Sequence, residues 1–220
     1  MPQPVYAVIA GELAEAKKVS HTHLGKIPDI LRESVSQVNK NLPRQQHFDY
    51  ETIRMDEFLC ISEDPVSAMQ ALILLASDFR YRSYLQLNIR LDLRLSLGIA
   101  AVELLKKNLR ESDGTAFRIA DENLRAMKRN QRLIIMTDHE DINEEFSVAC
   151  GFMDILIHDW SDEQAEALFM RLAGKNQMEI SKELDISQPA VNRRLKAAHF
   201  EAIEGFIKRY EAVISRYISK

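Results

Sequence analysis

The chain has 220 residues, 46% of them hydrophobic and 28% charged, with a formal net charge of −4; this is ordinary globular composition, enough for one large or two modest domains. The acidic total excludes a sequence-independent nucleic-acid coat, and seven glycines and six prolines exclude long low-complexity linkers. The longest apolar stretch, residues 71–76, is far below the roughly 20 residues that cross a bilayer. The opening MPQPVYAVIAGEL lacks the basic start and long apolar core of a signal peptide, so a cytoplasmic setting is expected.

Residues 4–11 are a compact run rich in Val, Ile and Tyr that predicts a buried strand. Leu24, Ile27, Leu31, Val35 and Val38 then recur at helical spacing, with Pro28 tolerable in a first turn. Two short strands, residues 47–53 and 58–61, flank Arg54-Met55-Asp56-Glu57 and predict a hairpin. Cys60 and Cys150 sit in apolar surroundings and read as buried thiols, not as a disulfide or a metal site. Asp64-Pro65 predicts the start of a well-buried helix, because Val66, Met69, Leu72, Ile73, Leu75 and Ala76 cover most of its circumference. Leu91, Leu93, Leu95, Leu97 and Ile99 alternate with Asp92, Arg94, Ser96 and Gly98, the pattern of a strand covered on one face. A turn at Ser112-Asp113-Gly114, a helix to about Lys128 and a buried strand at residues 133–136 follow. This order predicts an α+β domain over residues 1–158, with a mixed sheet of ferredoxin-like type.

Residues 142–157 read as a helical connector, and a capping box at Ser161 and Gln164 opens an all-α domain over residues 159–220. Its first helix ends near Gly174; a second spans residues 177–184. Asp185-Ile186-Ser187 makes a tight turn, Ser187 caps a third helix, and Pro189 falls in its first turn. This is the layout of a helix-turn-helix. The third helix carries no acid; Gln188, Asn192, Arg193, Arg194 and Lys196 are the expected DNA contacts, with Gln188, Asn192, Arg193 and Lys196 projecting outward. In a major groove, Gln and Asn pair with adenine edges and Arg with guanine or phosphate, which makes double-stranded DNA the expected partner. The charge is local, since residues 161–220 hold ten Lys and Arg against nine Asp and Glu. A terminal helix from Phe200, apolar at Ile203, Phe206, Tyr210, Val213 and Tyr217, needs cover from the first domain or from a second subunit. A homodimer is the favoured expectation, because it suits the reading of paired half-sites.

AVIAGEL (residues 7–13), RMDEFLCI (54–61), RLSLGIAA (94–101), SDGTAFRIADENL (112–124) and the SQPAVNRRL helix together resemble the SatD family of bacterial proteins. That resemblance spans most of the chain. It implies a nucleotide-cyclase-like domain followed by a helix-turn-helix, hence a DNA-binding transcriptional regulator. Cyclase and GGDEF enzymes, which look like more distant relatives, hold divalent metals on two carboxylates; by position these correspond to Glu12 and Asp56, with Glu57 adjacent. The resemblance therefore also implies an alternative, a Mg²⁺-dependent nucleotide-binding or nucleotide-processing protein. Here Gly11-Glu12 and Met55-Asp56 replace the Gly-Asp pattern favoured at both places, which points to a degenerate regulatory domain without catalytic residues. No resident cofactor is expected, and Mg²⁺ only together with a bound nucleotide.

A nucleotide phosphate could instead meet Ser112, Asp113, Gly114 and Arg118 at the start of the following helix. His21 and His23 lack a nearby carboxylate or cysteine to complete a metal site. Arg125, Lys128, Arg129 and Arg132 cluster at a helix end, where cations meet the dipole favourably and a second phosphate patch could form. No P-loop, nucleophile elbow or zinc motif occurs. A third class, a scaffold using the terminal helix only for protein contacts, shares the same elements.

Overall fold

Strand β1 (Val5–Leu13) uses both of its edges and both of its faces. β3 (Glu57–Ser62) and β4 (Leu93–Ala101) flank it, each antiparallel. β2 (Asp49–Thr52) pairs with β3 as the expected hairpin, and β5 (Leu133–Thr137) runs parallel to β4. The sheet order is β2-β3-β1-β4-β5, an α+β arrangement with a mixed sheet. The computed structural model describes residues 4–42 and 47–219, so the first three residues of the N-terminal stretch lie outside it. α1 (His21–Leu24) and α2 (Ile27–Asn41) connect β1 to the hairpin, α3 (Ala68–Leu87) connects β3 to β4, and α4 (Thr115–Ala126) crosses from β4 to β5. Five helices follow: α5 (Glu140–Asp159), α6 (Asp162–Leu172), α7 (Gln177–Leu184), α8 (Gln188–Ala197) and α9 (Phe200–Ile218).

Strand alternation sorts the side chains into two cores. Ala7, Ile9 and Leu13 of β1, with Leu93, Leu95, Leu97 and Ile99 of β4, enter the main core beneath α2, α3 and α5. Val8, Ala10 and Ala100 point the other way, toward Ala116, Phe117, Ala120 and Leu124 of α4. The alternation of β4 predicts cover on one face only, yet Ser96 and Gly98 are buried too. The reason is size. A Cβ on Gly98 would lie 2.4 Å from the Ala116 carbonyl oxygen, so the absent side chain is what lets α4 approach the strand.

The helix expected from Asp64-Pro65 begins at Ala68 instead, because the Asp64 carboxylate accepts the Val66 N–H at 3.0 Å and forms a turn that delays it. α3 is apolar around its circumference because it has neighbours all round. The sheet lies on one side, α6 and α9 on another. The Gln70 amide donates to the Leu172 carbonyl (3.0 Å) and the buried Tyr210 hydroxyl to the Pro65 carbonyl (2.7 Å). Ile203, Ile207, Tyr210, Val213 and Ile214 of α9 are therefore covered by the chain itself. Of the two sources of cover expected for this face, the first domain or a second subunit, the first domain supplies it at these residues.

The same apolar core runs from β1 through Trp160, Leu168 and Ala198 to Ile214. Polar contacts reinforce the join between α5 and α6. Buried Arg80 binds Asp92 and donates to the carbonyls of His158 (3.3 Å) and Trp160, while the Trp160 indole N–H donates to the Ala198 carbonyl at 3.3 Å. Both cysteines are free and buried, and burial pushes their thiols up, Cys150 to about 12, so neither is a thiolate. Among the described residues no helix is long and apolar enough to cross a membrane.

Candidate functional site

The register of β1 decides what surrounds Glu12: it stands between Glu57 of β3 and Arg94 of β4. The Leu13 N–H donates to the Asp56 carbonyl at 2.8 Å and ties the hairpin tip to the end of β1. Glu12 and Asp56 thus come together, as their alignment with a metal-binding pair implies, on one cleft of about 610 Å³. Their company is not that of a metal site. The Arg94 guanidinium binds the Glu12 carboxylate and also donates to the Met127 carbonyl at the C-terminal end of α4. Lys17, Lys18 and Arg129 line the same cleft. A divalent cation needs several free oxygen donors; here one carboxylate is taken by a guanidinium and four cations face three carboxylates. Among the described residues no group of three or more His, Cys, Asp and Glu could hold a metal ion. The residues present do not fit Mg²⁺. Arg94 is the residue that sequence reasoning missed, although the alternation of β4 puts it on the same face as Glu12.

Glu15, in a left-handed turn (φ 54°), binds both Lys18 (2.9 Å) and Arg129 (2.7 Å). Hydrogen bonds from Lys18 and then Arg129 hold its carboxyl far below the usual range, at about 2. Lys17 and Asp56 have no ion-pair partner among the described residues. The expected cationic patch at residues 125–132 is dispersed: Arg125 pairs with Asp121 (3.0 Å), Arg129 with Glu15, and Arg132 is buried against Asp92. His21 and His23 fall on the short α1 with no metal-binding group around them.

Ser112, Asp113, Gly114 and Arg118 lie at the other end of the sheet from Glu12. They precede or open α4, whose C-terminal end meets the cleft, and 12 helical residues at 1.5 Å each separate the two ends by roughly 18 Å. The N-terminus of α4 already has its anion. Glu103 accepts the Thr115 N–H (2.8 Å) and hydroxyl (2.9 Å), which holds its carboxyl below the usual range, and a Cβ on Gly114 would strike Glu103 at 2.6 Å. Arg118 binds Asp113 (2.9 Å) and Glu103 (3.6 Å). At the expected phosphate position the chain's own Glu103 carboxylate meets the helix N-terminus, and roughly 18 Å of helix separates that end from Glu12 and Asp56.

In the C-terminal helices, Asn176 and Glu179 form a capping box at the start of α7, and Asp185 in the left-handed region ends it. Ser187 caps α8. Ala167, Ile180, Val191 and Leu195 close a small apolar cluster among α6, α7 and α8, with Ile186 of the turn against it. Gln188, Arg193 and Lys196 are exposed and Asn192 half-buried. Arg194 departs from that set: it turns toward α6 and meets Glu166 at 3.4 Å. Among the described arginines only Arg171, Arg193 and Arg216 lack a carboxylate partner. All three stand on the C-terminal helices, Arg171 on α6, Arg193 on α8 and Arg216 on α9. Arg171 lies over the Phe200 ring (5.0 Å) and lines a groove of about 470 Å³ with Gln177, Asn192, Lys196 and His199.

No family model and no curated protein matches the chain. Among solved structures it is similar to the guanylyl cyclase Cya2, with 10% identity and a TM-score of 0.42 over 61% of this chain and 77% of that one. It is also similar to the active GGEEF domain of a diguanylate cyclase from Vibrio cholerae (16%, 0.37, 62% and 84%) and to a bacterial light-regulated adenylyl cyclase (11%, 0.38, 61% and 44%).

Proposed function

We propose that the chain is a DNA-binding protein that reads a duplex with α8, a helix-turn-helix regulator of the kind the SatD resemblance implies. One observation carries the reading: Arg193 and Lys196 are exposed, unpaired and on a helix without acids, in a chain whose other arginines are nearly all held by carboxylates. Unpaired cations exchange counterions for phosphates at no cost in internal ion pairs. Gln188 and Asn192, on the same side, supply the amides that pair with adenine edges. Arg194 belongs to the support of the helix and not to its reading face. The test is selection of duplexes from a random library with the full chain, followed by anisotropy titration. Arg193→Ala with Lys196→Ala should abolish binding of the recovered duplex and flatten the salt slope by about 2. Recovery of no preferred sequence, or unchanged affinity of the double variant, overturns the reading.

A second reading, a nucleotide-processing body, is favoured by one observation, that Glu12 and Asp56 share a cleft. It requires Arg94 to release Glu12. It predicts that Mg²⁺ with a nucleoside triphosphate raises the melting temperature, that chelation removes the effect, and that Asp56→Ala does the same.

A further inference from the structure

We propose that the cleft at the end of β1 binds a phosphate-bearing anion directly on its cations, without a divalent metal. The misfit with Mg²⁺ is the starting point. A carboxylate pair at the end of a strand suits a hard cation, but Arg94 neutralises one member and leaves its own Nε buried with no hydrogen-bond partner. The buried, unpartnered Nε shows that Glu12 and the Met127 carbonyl leave the Arg94 guanidinium incompletely satisfied.

The other cations come from separate stretches of chain: Lys17 and Lys18 from the turn after β1, and Arg129 from the loop after α4. Residues 1–160 hold 24 Asp and Glu against 19 Lys and Arg, so their convergence on one cleft runs against the surrounding charge. Internal pairing does not saturate them. Glu15 is a single carboxylate shared by Lys18 and Arg129, and Lys17 has no partner among the described residues.

Glu15 marks where the ligand goes. Its carboxylate sits between an ammonium and a guanidinium, an arrangement that also suits phosphate oxygens, and it reaches there from a backbone turn in the left-handed region. A phosphate dianion that displaces it keeps both cations paired, adds Lys17, and places more negative charge among them than one carboxylate can. Glu15 is then an internal competitor, the cleft's resident counterion.

The probe is inorganic pyrophosphate, titrated calorimetrically into the full chain in the presence of EDTA. Binding in EDTA, unimproved by excess Mg²⁺, is expected. Arg129→Ala, at a side chain 77% exposed whose loss leaves the cores intact, should weaken it about tenfold. Glu15→Gln should tighten it, because the competitor is gone; a purely structural Glu15 would do the opposite. Arg216→Ala, at an exposed arginine outside both sites, should leave it unchanged. The proposal is overturned by no binding in EDTA, by binding that needs Mg²⁺ and Asp56, or by weaker binding in Glu15→Gln.

Discussion

Two basic regions, the cleft at the end of β1 and the outer face of α8, differ in how their charge is spent. Around the β1 cleft, Arg94 lies on Glu12 and Arg129 and Lys18 on Glu15, so the cations arrive with counterions built in. On α8, Arg193 and Lys196 arrive with none, and the one arginine there that has a partner, Arg194, faces inward. The lesson is that pairing sets what a cation can do. A bare cation exchanges only hydration and salt ions for a new partner, whereas a paired one must first lose a carboxylate. On the readings proposed above, the α8 face would take a polyanion and the cleft a compact anion that displaces Glu15.

The largest expected effect tests the bare side of this contrast. Arg193→Ala with Lys196→Ala removes both unpaired cations from α8 and should lower affinity for a selected duplex by a factor of about 100 or more. Arg194→Ala should cost only a small part of that affinity and lower stability instead, by about 1 kcal/mol, because it leaves the largely buried Glu166 alone. Equal losses of DNA affinity in both variants, measured by anisotropy, would erase the distinction between reading and supporting arginines.

The next effect separates the regions by structure. Gly98→Ala places a methyl against the Ala116 carbonyl and the Ala120 N–H and should push α4 off β4, costing about 1–3 kcal/mol in urea unfolding. The end of α4 holds Arg94 at the cleft, whereas α8 packs on α6, α7 and α9. At temperatures where the variant remains folded, pyrophosphate binding should fall and DNA binding persist. Joint loss would mean that the cleft and α8 are coupled through the shared core.

How much of this was legible in the sequence follows the range of each interaction. The strands, the hairpin, the capping box at Ser161 and the turn at residues 185–187 are local patterns, and the structure has them close to where the patterns lie. Glu12 and Asp56 line one cleft because the register of β1 and the hairpin tip bring their backbones together. What sequence periodicity could not supply is pairing across the fold. Arg94 is 82 residues from Glu12, Glu166 is 28 from Arg194, and Glu103 reaches the α4 N-terminus across a loop that offers no periodicity. Each of these pairings reassigns a residue expected to face a ligand. The fate of α9 was hidden for a related reason, since an apolar stripe states a need for cover and not its source.

A smaller effect follows from the Glu12 pair. Arg94→Ala frees that carboxylate beside Asp56 and removes the charge that repels a cation. Mg²⁺ should then raise the thermal midpoint of the variant while leaving the parent chain unmoved. A parent chain that responds equally would show that Arg94 yields to the metal on its own, and the contrast between a paired and a bare region would lose its paired member.

The smallest effect is the pH dependence of the paired region. Glu15 has its carboxyl lowered from 4.5 to about 2 by Lys18 and Arg129, so the folded state favours its ionised form more than the unfolded chain does. Its stabilisation is complete above about pH 4.5 and fades as pH falls toward 2. Glu15→Gln lacks that contribution at every pH. In phosphate-free buffer the urea midpoint of the parent chain should therefore exceed that of the variant near neutrality, by a small margin because the site is open to solvent, and the gap should close as pH falls from 4.5 toward 2. Added pyrophosphate should reverse the order near neutrality, lifting the variant above the parent, because the same glutamine that weakens the empty cleft no longer competes with the anion. A gap that stays constant from neutral to acid pH would show that Glu15 acts through its turn geometry, and that the cations of the cleft are as bare as those of α8.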